Sequence, residues 1–172
     1  WGKDQKSSEA GLKYLLLGAI ASALLLYGMA LLYGVTGTTQ LDGIASAIQA
    51  DGEGYRALLV LSMVLLIAGF GFKMAVVPFQ MWVPDVYQGA PTPVAAFLSV
   101  GSKAAAFAVV TRIFFVALPA EFLSDDWSMV FAILAAVSMT LGNLMAVVQT
   151  DIKRMLGYSS IAQAGTFMIG LA

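Results

Sequence analysis

The chain has 172 residues, of which 60% are hydrophobic and 11% charged, and its formal net charge is −1. Soluble globular proteins average roughly 45–50% apolar and about 25% charged residues, so this composition excludes a soluble domain and a disordered chain. The lack of excess positive charge argues against nucleic acid as a partner. The absence of Cys and His removes the usual ligands of zinc and iron–sulfur clusters.

Five apolar stretches follow one another along the chain, at residues 14–33, 57–83, 94–120, 127–150 and 155–172. A helix needs about 20 apolar residues to cross the bilayer core. Only a helix satisfies its own backbone hydrogen bonds in lipid over segments this uniformly apolar. We therefore predict an all-α, multi-pass bundle in a lipid bilayer. Because the chain starts without Met and ends inside an apolar stretch, we expect it to be an internal piece of a longer protein.

The connecting segments differ in character. Residues 41–49 predict a short helix capped by Asp42. Residues 84–93 contain several prolines and predict a stiff turn that cannot continue a helix. Lys and Arg residues lie mainly near the chain's start and in the turn at residues 151–154. The positive-inside rule places these two regions, with the proline-rich turn, on the cytoplasmic side.

Two lysines lie in the interior of predicted spans. Lys73 and Lys103 are each about 14–15 Å from the proline-rich turn if both segments are helical throughout. A charge at mid-membrane costs at least roughly 2.5–3.5 kcal/mol, and such residues generally mark ion pathways. Burial favours the neutral amine, so a buried lysine can lose and regain a proton. The matched depth predicts a hydrated polar layer in which both lysines act in a proton relay.

A proline close to the first of these lysines strengthens that hypothesis. Pro78 removes the hydrogen bond to the Met74 carbonyl, so we predict a break in this span within about one turn of Lys73. A broken helix at this depth is tolerated where it is buried in protein or lines water. Gln80 lies about two turns beyond Lys73 on the same helical face and is a candidate member of the path.

Further polar residues accompany these lysines. Glu9 and Lys13 are spaced as an ion pair on one helical face, and the common interpretation of such a pair is a surface contact. Ser99 and Ser102 lie close to Lys103 in sequence and are candidates to solvate it or to hold water.

At these residues the sequence resembles a known family. It is similar to subunit N of the proton-pumping NADH-quinone oxidoreductase, respiratory complex I, one of the antiporter-like membrane subunits. Part of the proline-rich motif is shared with multi-subunit cation/proton antiporters. The resemblance is carried by residues 7–14 (SSEAGLKY), 72–93 (FKMAVVPFQMWVPDVYQGAPTP), 97–104 (FLSVGSKA) and 151–162 (DIKRMLGYSSIA).

The resemblance implies a place for each candidate. The chain would hold about five helices of a larger antiporter-like subunit, beginning with its sixth. Lys73 matches the family lysine on the broken seventh helix and Lys103 the lysine on the eighth, while Glu9 and Lys13 match a charged pair on the sixth. Gln80 stands where family members commonly have histidine, which argues against proton transfer by that side chain.

The implied function is proton translocation driven by electron transfer from NADH to quinone. The chain itself carries no cofactor motif and no metal site, so NADH, FMN, iron–sulfur clusters and quinone are expected elsewhere in the complex. The expected partners are other membrane-arm subunits, lipid, protons and water, and the expected location is the bacterial inner membrane. The first alternative is a subunit of a multi-subunit cation/proton antiporter. The second is a structural scaffold, which the two lysines at matched depth argue against.

Overall fold

Helices make up nearly all of residues 5–172, which are the residues described by the structure, a computed structural model. No strand occurs in this part of the chain, which confirms the all-α prediction. The helices are α1 (Gln5–Thr36), α2 (Leu41–Asp51), α3 (Arg56–Met74), α4 (Val83–Gly89), α5 (Thr92–Arg112), α6 (Glu121–Val147) and α7 (Ile152–Met168). Shorter helical turns are Gly52–Tyr55 before α3, Ile113–Ala117 after α5 and Ile169–Leu171 after α7.

Within residues 5–172, four helical stretches are long and apolar enough to cross a membrane. Their outer faces expose large apolar side chains such as Leu15 and Val100, which suit a lipid environment better than water. α7 has 17 residues, close to the lower limit for a span. The four stretches are Gln5–Thr36, Leu41–Met74, Thr92–Ala117 and Glu121–Val147.

Two helix pairs form the body of the molecule. α1 packs along α3 and α6 packs along α7, while the short α4 contacts both α1 and α7. The α6–α7 pair is close because Gly142 faces Ala162: a Cβ added to Gly142 would lie 2.6 Å from the Ala162 amide nitrogen. Small residues at such crossings allow helix backbones to approach in lipid. α4 therefore connects the two pairs, and α5, which contacts both α3 and α7, connects them as well.

The predicted helix break is confirmed, although its local cause differs from the one expected. α3 ends at Met74, and Ala75 adopts a left-handed conformation with φ 61° and ψ 41°. The Val76 amide donates to the Gly71 carbonyl and the Ala75 amide to that of Phe72, which is the pattern of a Schellman cap. The helix thus closes before Pro78 is reached, and that proline follows in the irregular segment.

Side chains from elsewhere satisfy the backbone at the break. The Trp82 indole N–H donates to the Phe72 carbonyl at 3.1 Å. The Val77 amide donates to the Ser138 hydroxyl of α6 at 2.9 Å. Both bonds are buried, as an apolar environment requires of irregular backbone.

Two expectations about the connecting segments were wrong. Part of the proline-rich segment is helical. Pro84 lies in the first turn of α4, where a backbone N–H has no partner within the helix, so a proline there costs no hydrogen bond. The short helix α2 does exist, but its N-cap is Gln40 and no side chain caps it. Asp42 lies instead within the first turn, where its negative charge favours the positive end of the helix dipole.

Candidate functional site

Lys103 is a buried cation near the middle of α5. Only 7% of the residue is exposed. Its Nζ donates to the Ser160 carbonyl oxygen at 2.7 Å and to the Ser160 hydroxyl at 3.0 Å. The same hydroxyl donates to the Gly157 carbonyl one turn earlier in α7, at 2.7 Å. Two oxygens of one residue therefore stabilise the ammonium group of a residue that is almost entirely buried.

The polar partner of Lys103 is not one that the sequence suggested. The Ser99 hydroxyl donates to the Ala96 carbonyl of its own helix, and Ser102 makes no hydrogen bond to Lys103 among the described residues. Ser99 nevertheless lines the same cavity as Lys103. Ser160 lies far along the chain and reaches Lys103 only because α7 packs beside α5, a tertiary contact that sequence spacing does not reveal.

Lys103 borders a cavity of about 870 Å³ between α5 and α7. Its walls are mainly apolar, with polar groups in a few places. Such a cavity can hold water where several polar groups converge. The polar residues along its walls are Tyr87, Thr92, Ser99, Lys103, Thr111, Lys153, Ser159, Ser160 and Gln163.

Lys73 lies in different surroundings. It is the penultimate residue of α3 and is partly exposed. Its Nζ lies 5.9 Å from the centroid of the Phe72 ring, and it makes no hydrogen bond or ion pair with any other described residue. The structure does not bring Lys73 to the cavity that Lys103 borders. The sequence-based estimate of the depth of Lys73 assumed a continuous helix from Lys73 to the proline-rich turn. That assumption does not hold, because α3 ends at Met74.

The other path candidates from the broken span lie in the irregular segment. Pro78 is exposed, and its peptide bond with Val77 is cis. The Gln80 side-chain oxygen is buried and has no hydrogen-bond partner among the described residues. Since a buried acceptor without a partner is rare, Gln80 remains a candidate polar group beside the break.

Glu9 and Lys13 belong to a larger group of charges. Lys13 Nζ lies 2.7 Å from a Glu9 carboxylate oxygen and 2.6 Å from Asp85 Oδ2. Arg154 Nη1 lies 2.6 Å from the other oxygen of Asp85. We call Glu9, Lys13, Asp85 and Arg154 the charge cluster. It joins α1, α4 and the start of α7, so the three segments that the sequence assigned to one membrane side do meet.

Asp85, the central carboxylate of the charge cluster, binds a proton less readily than an isolated aspartate does. Partial burial acts to raise the pKa of Asp85, but the hydrogen bonds and positive charges of Lys13 and Arg154 outweigh it. The pKa of Asp85 therefore lies below its ordinary value, and the carboxylate stays charged at neutral pH. In return, the hydrogen bond to Asp85 raises the pKa of Arg154 above its usual range.

Sequence reasoning missed Asp85 and Arg154 as site residues, although both lie in the quoted motifs. The available signal was the type of residue: each is a charge next to a predicted span end. Gln88 also joins them, since Arg154 Nη1 donates to its side-chain oxygen at 3.2 Å and its amide donates to Asp151 at 3.1 Å. A pocket of about 220 Å³ opens beside these groups.

Comparison with known proteins gives the family. The model for the transmembrane region of the NADH:quinone oxidoreductase/Mrp antiporter proteins matches residues 1–172, the whole chain. The chain belongs to this family. The resemblance stated from the motifs is thus confirmed.

Relatives with established names agree with the more specific resemblance. The chain is 52% identical over 177 aligned positions to NADH-quinone oxidoreductase subunit N 2 of Symbiobacterium thermophilum, covering 99% of the chain and 35% of the relative. It is 55% identical to subunit N of Desulforamulus reducens, covering 98% and 34%. The chain therefore spans about a third of the length of these relatives.

Solved structures share the fold across different complexes. A chain of respiratory complex I from Thermus thermophilus matches with a TM-score of 0.81 at 46% identity, covering 98% of this chain and 35% of that one. A chain of the archaeal membrane-bound sulfane sulfur reductase matches at 0.86 and 29% identity, covering 99% and 34%. A chain of the Mrp complex from Dietzia matches at 0.83 and 27%, covering 95% and 29%. The fold does not separate these complexes, whereas sequence identity favours complex I.

Proposed function

We propose that the full-length protein is a proton-translocating membrane subunit of an NADH-quinone oxidoreductase. The observation that carries this proposal is Lys103, a cation in the middle of an apolar helix, only 7% exposed and held by two oxygens of Ser160. Ionisable groups in such positions are costly and generally functional. The 46% identity to a complex I chain, against 29% and 27% for the other two complexes, supports the type of complex.

The chemistry of Lys103 suits a reversible proton carrier. Two oxygens of Ser160 accept hydrogen bonds from its ammonium and stabilise the charged form, while burial favours the neutral form. Because these effects oppose each other, a change of charge or hydration nearby can shift the proton on or off. Lys73, beside the helix break, is the second proposed carrier. Glu9 and Lys13 take part through the charge cluster, where Asp85 competes with Glu9 for the ammonium group of Lys13.

Redox chemistry would take place in other subunits. NADH, FMN, iron–sulfur clusters and quinone would bind there, and this chain would contribute the proton path only. The proposed partners are the other membrane-arm subunits, and the proposed location is the bacterial cell membrane, since the named relatives are bacterial proteins. Lipid would cover the exposed apolar faces of the helices.

The test uses Lys103→Ala and Lys73→Ala in the full-length subunit within the complex, reconstituted into vesicles. Protons moved per electron transferred should fall in both variants, while the amount of assembled complex stays close to normal. Arg112→Ala is the matched control, because Arg112 is an exposed cation at the end of the same helix, α5. Undiminished proton transfer in the Lys103 variant would refute the proposal.

The second candidate function is a subunit of a cation/proton antiporter. It is kept because the family that matches the chain includes Mrp antiporter proteins and a chain of the Mrp complex shares the fold, with a TM-score of 0.83. Sodium/proton exchange that continues without NADH and quinone in vesicles carrying the full-length protein would support it. Proton transfer that requires both substrates would support the redox-driven function.

A further inference from the structure

The contact between Lys103 and Ser160 depends on how far apart α5 and α7 lie at the level of these residues. A cavity of about 870 Å³ lies between the two helices, and both residues border it. The Lys103 ammonium donates to the Ser160 carbonyl oxygen at 2.7 Å and to its hydroxyl at 3.0 Å. Such bonds rarely extend beyond about 3.2 Å, so a shift of α7 by about 1 Å would break both.

Beyond one end of the cavity, aromatic rings hold the end of α5 against α6. The Phe114 ring, just after α5, packs edge-on against the rings of Trp127 and Phe131, with centroids 5.6 Å and 4.9 Å apart. α7 packs along α6, which sets its distance from α6 but not from α5. Lys103 lies roughly 16 Å from Phe114 along the helix, so the aromatic contact does not by itself fix α7 at the level of Ser160.

At the other end, polar bonds tie the first turn of α7 to α4. Arg154 Nη1 donates to Asp85 Oδ1 at 2.6 Å and to the Gln88 side-chain oxygen at 3.2 Å. The Gln88 amide in turn donates to the Asp151 carboxylate at 3.1 Å, and the other oxygen of that carboxylate caps α7 by accepting from the Arg154 backbone amide. The bond to Asp85 joins two charges, and such bonds are the stronger kind, so Arg154 is the centre of this tie.

α4 is itself held close to the start of α5. It ends at Gly89 and α5 begins at Thr92, so only Ala90 and Pro91 join them. The proline ring fixes one of the backbone angles in this link, and the Lys153 ammonium donates to the Ala90 carbonyl at 3.2 Å. A residue of α7 that is bound to α4 therefore keeps a nearly fixed distance from the start of α5.

The contact with α4 continues along α7 towards Ser160. A Cβ added to Gly157 would lie 3.5 Å from Pro84 Cα, an ordinary contact distance, so α7 lies directly against α4 there. The Gly157 carbonyl accepts from the Ser160 hydroxyl at 2.7 Å. Arg154, Gly157 and Ser160 follow one another at three-residue steps, so they lie near one another along one side of the helix. The position of Arg154 is thus transmitted to Ser160 over about 9 Å of helix.

We propose that Arg154 is a positioning residue for proton transfer: its bonds to α4 hold α7 where Ser160 accepts both hydrogen bonds from Lys103. This inference rests on the proposed function and names what sets the geometry at its central carrier. Among the described residues, Arg154 makes no hydrogen bond to Lys103, and it does not line the cavity, so it acts only through α7. Without it, α7 can move away from α5, and the buried ammonium then loses its acceptors and becomes costlier to form.

The experiment compares Arg154→Met with Arg56→Met in the full-length subunit within the reconstituted complex. Methionine keeps much of the side-chain length but has no hydrogen-bond donor. Arg56 also forms an ion pair between two helices, with Asp126 of α6 at 3.2 Å, but it does not line the cavity. Proton transfer per assembled complex should be about tenfold slower in Arg154→Met, because displacing a reacting group by about 1 Å can cost up to about 100-fold in rate. It should stay close to normal in Arg56→Met.

The pH dependence of the rate separates positioning from a general loosening of the fold. Ser160→Ala removes one of the two acceptors of Lys103 and leaves α4 untouched. The pH dependence should shift in the same direction in Ser160→Ala and in Arg154→Met, because both weaken the same hold on the ammonium, and it should not shift in Arg56→Met. Slower transfer in Arg154→Met with the pH dependence of the unmodified protein would overturn the inference.

A second variant covers the case in which Arg154→Met does not assemble. Gln88→Ala removes the amide bonds to Arg154 and Asp151 but leaves the Arg154–Asp85 ion pair, so it should slow transfer less and shift the pH dependence in the same direction. Normal transfer in Arg154→Met, or in Gln88→Ala where the first variant does not assemble, would overturn this inference if Lys103→Ala is impaired, and would leave the proposed function standing. Normal transfer in Lys103→Ala would refute the proposed function itself.

Discussion

The Val77 amide donates a 2.9 Å hydrogen bond to the Ser138 hydroxyl, and this bond ties the break after α3 to the middle of α6. Both residues are buried, and Ser138 is 0% exposed. The break follows Lys73 directly along the chain. The conformation of the backbone beyond this proposed proton carrier thus depends on a residue 61 positions away in sequence.

Ser138→Ala should destabilise the subunit, because it leaves the Val77 amide buried without an acceptor. The expected loss is about 1–3 kcal/mol in the free energy of unfolding, measured as a lower melting temperature of the purified full-length subunit in detergent. Ser124→Ala is the control: it lies in the first turns of the same helix, and its hydroxyl donates only to the Glu121 carbonyl nearby. Equal melting temperatures for the two variants would contradict this role of Ser138.

The position of the helix break could be predicted from sequence, whereas its structure could not. Pro78 indicates that a helix cannot continue through this region. The left-handed residue that ends α3 is Ala75, however, and alanine carries no local signal for that conformation. The indole of Trp82 and the hydroxyl of Ser138 complete the break through tertiary contacts, which no local pattern encodes.

The candidate site shows the same division between residue type and partner. Lys103 could be identified because a charge in the middle of an apolar membrane helix is costly whichever helices surround it. Ser160 could not, since a serine in a helix is common and only the packing of α7 beside α5 gives it a role. Glu9 and Lys13 were correctly paired by their spacing, as the 2.7 Å contact confirms, but their link to Asp85 depends on where α4 packs.

Two glycines in different packing environments should respond differently to substitution by alanine. Gly142→Ala should destabilise the subunit by about 1–3 kcal/mol, because the new Cβ would lie 2.6 Å and 2.9 Å from backbone atoms of Ala162. Gly34→Ala in α1 meets nothing within 4 Å and should be neutral or stabilising by up to about 1 kcal/mol, since alanine favours helix. Melting temperatures of the two full-length variants test this, and a stable Gly142 variant would show that the helices can separate at little cost.

The charge cluster predicts a pH-dependent contribution from Asp85. Its pKa is lowered in the folded protein, so the ionised carboxylate stabilises the fold at pH values above its unfolded pKa, about 3.9. That contribution declines as the pH falls through the lowered folded pKa, where the carboxylate takes up a proton. Asp85→Asn should therefore cost about 1 kcal/mol at neutral pH, and the difference from the unmodified protein should shrink in strong acid.

The control for Asp85 is Asp126→Asn, which removes a single ion pair with Arg56 at 3.2 Å on the exposed surface. Such pairs contribute roughly 0–1 kcal/mol, so its effect at neutral pH should be smaller than that of Asp85→Asn, which leaves both Lys13 and Arg154 without their shared carboxylate. Melting curves of the full-length variants between pH 8 and strong acid give both comparisons. A difference for Asp85→Asn that stays constant down to the most acidic pH would mean that the lost contacts are steric rather than ionic.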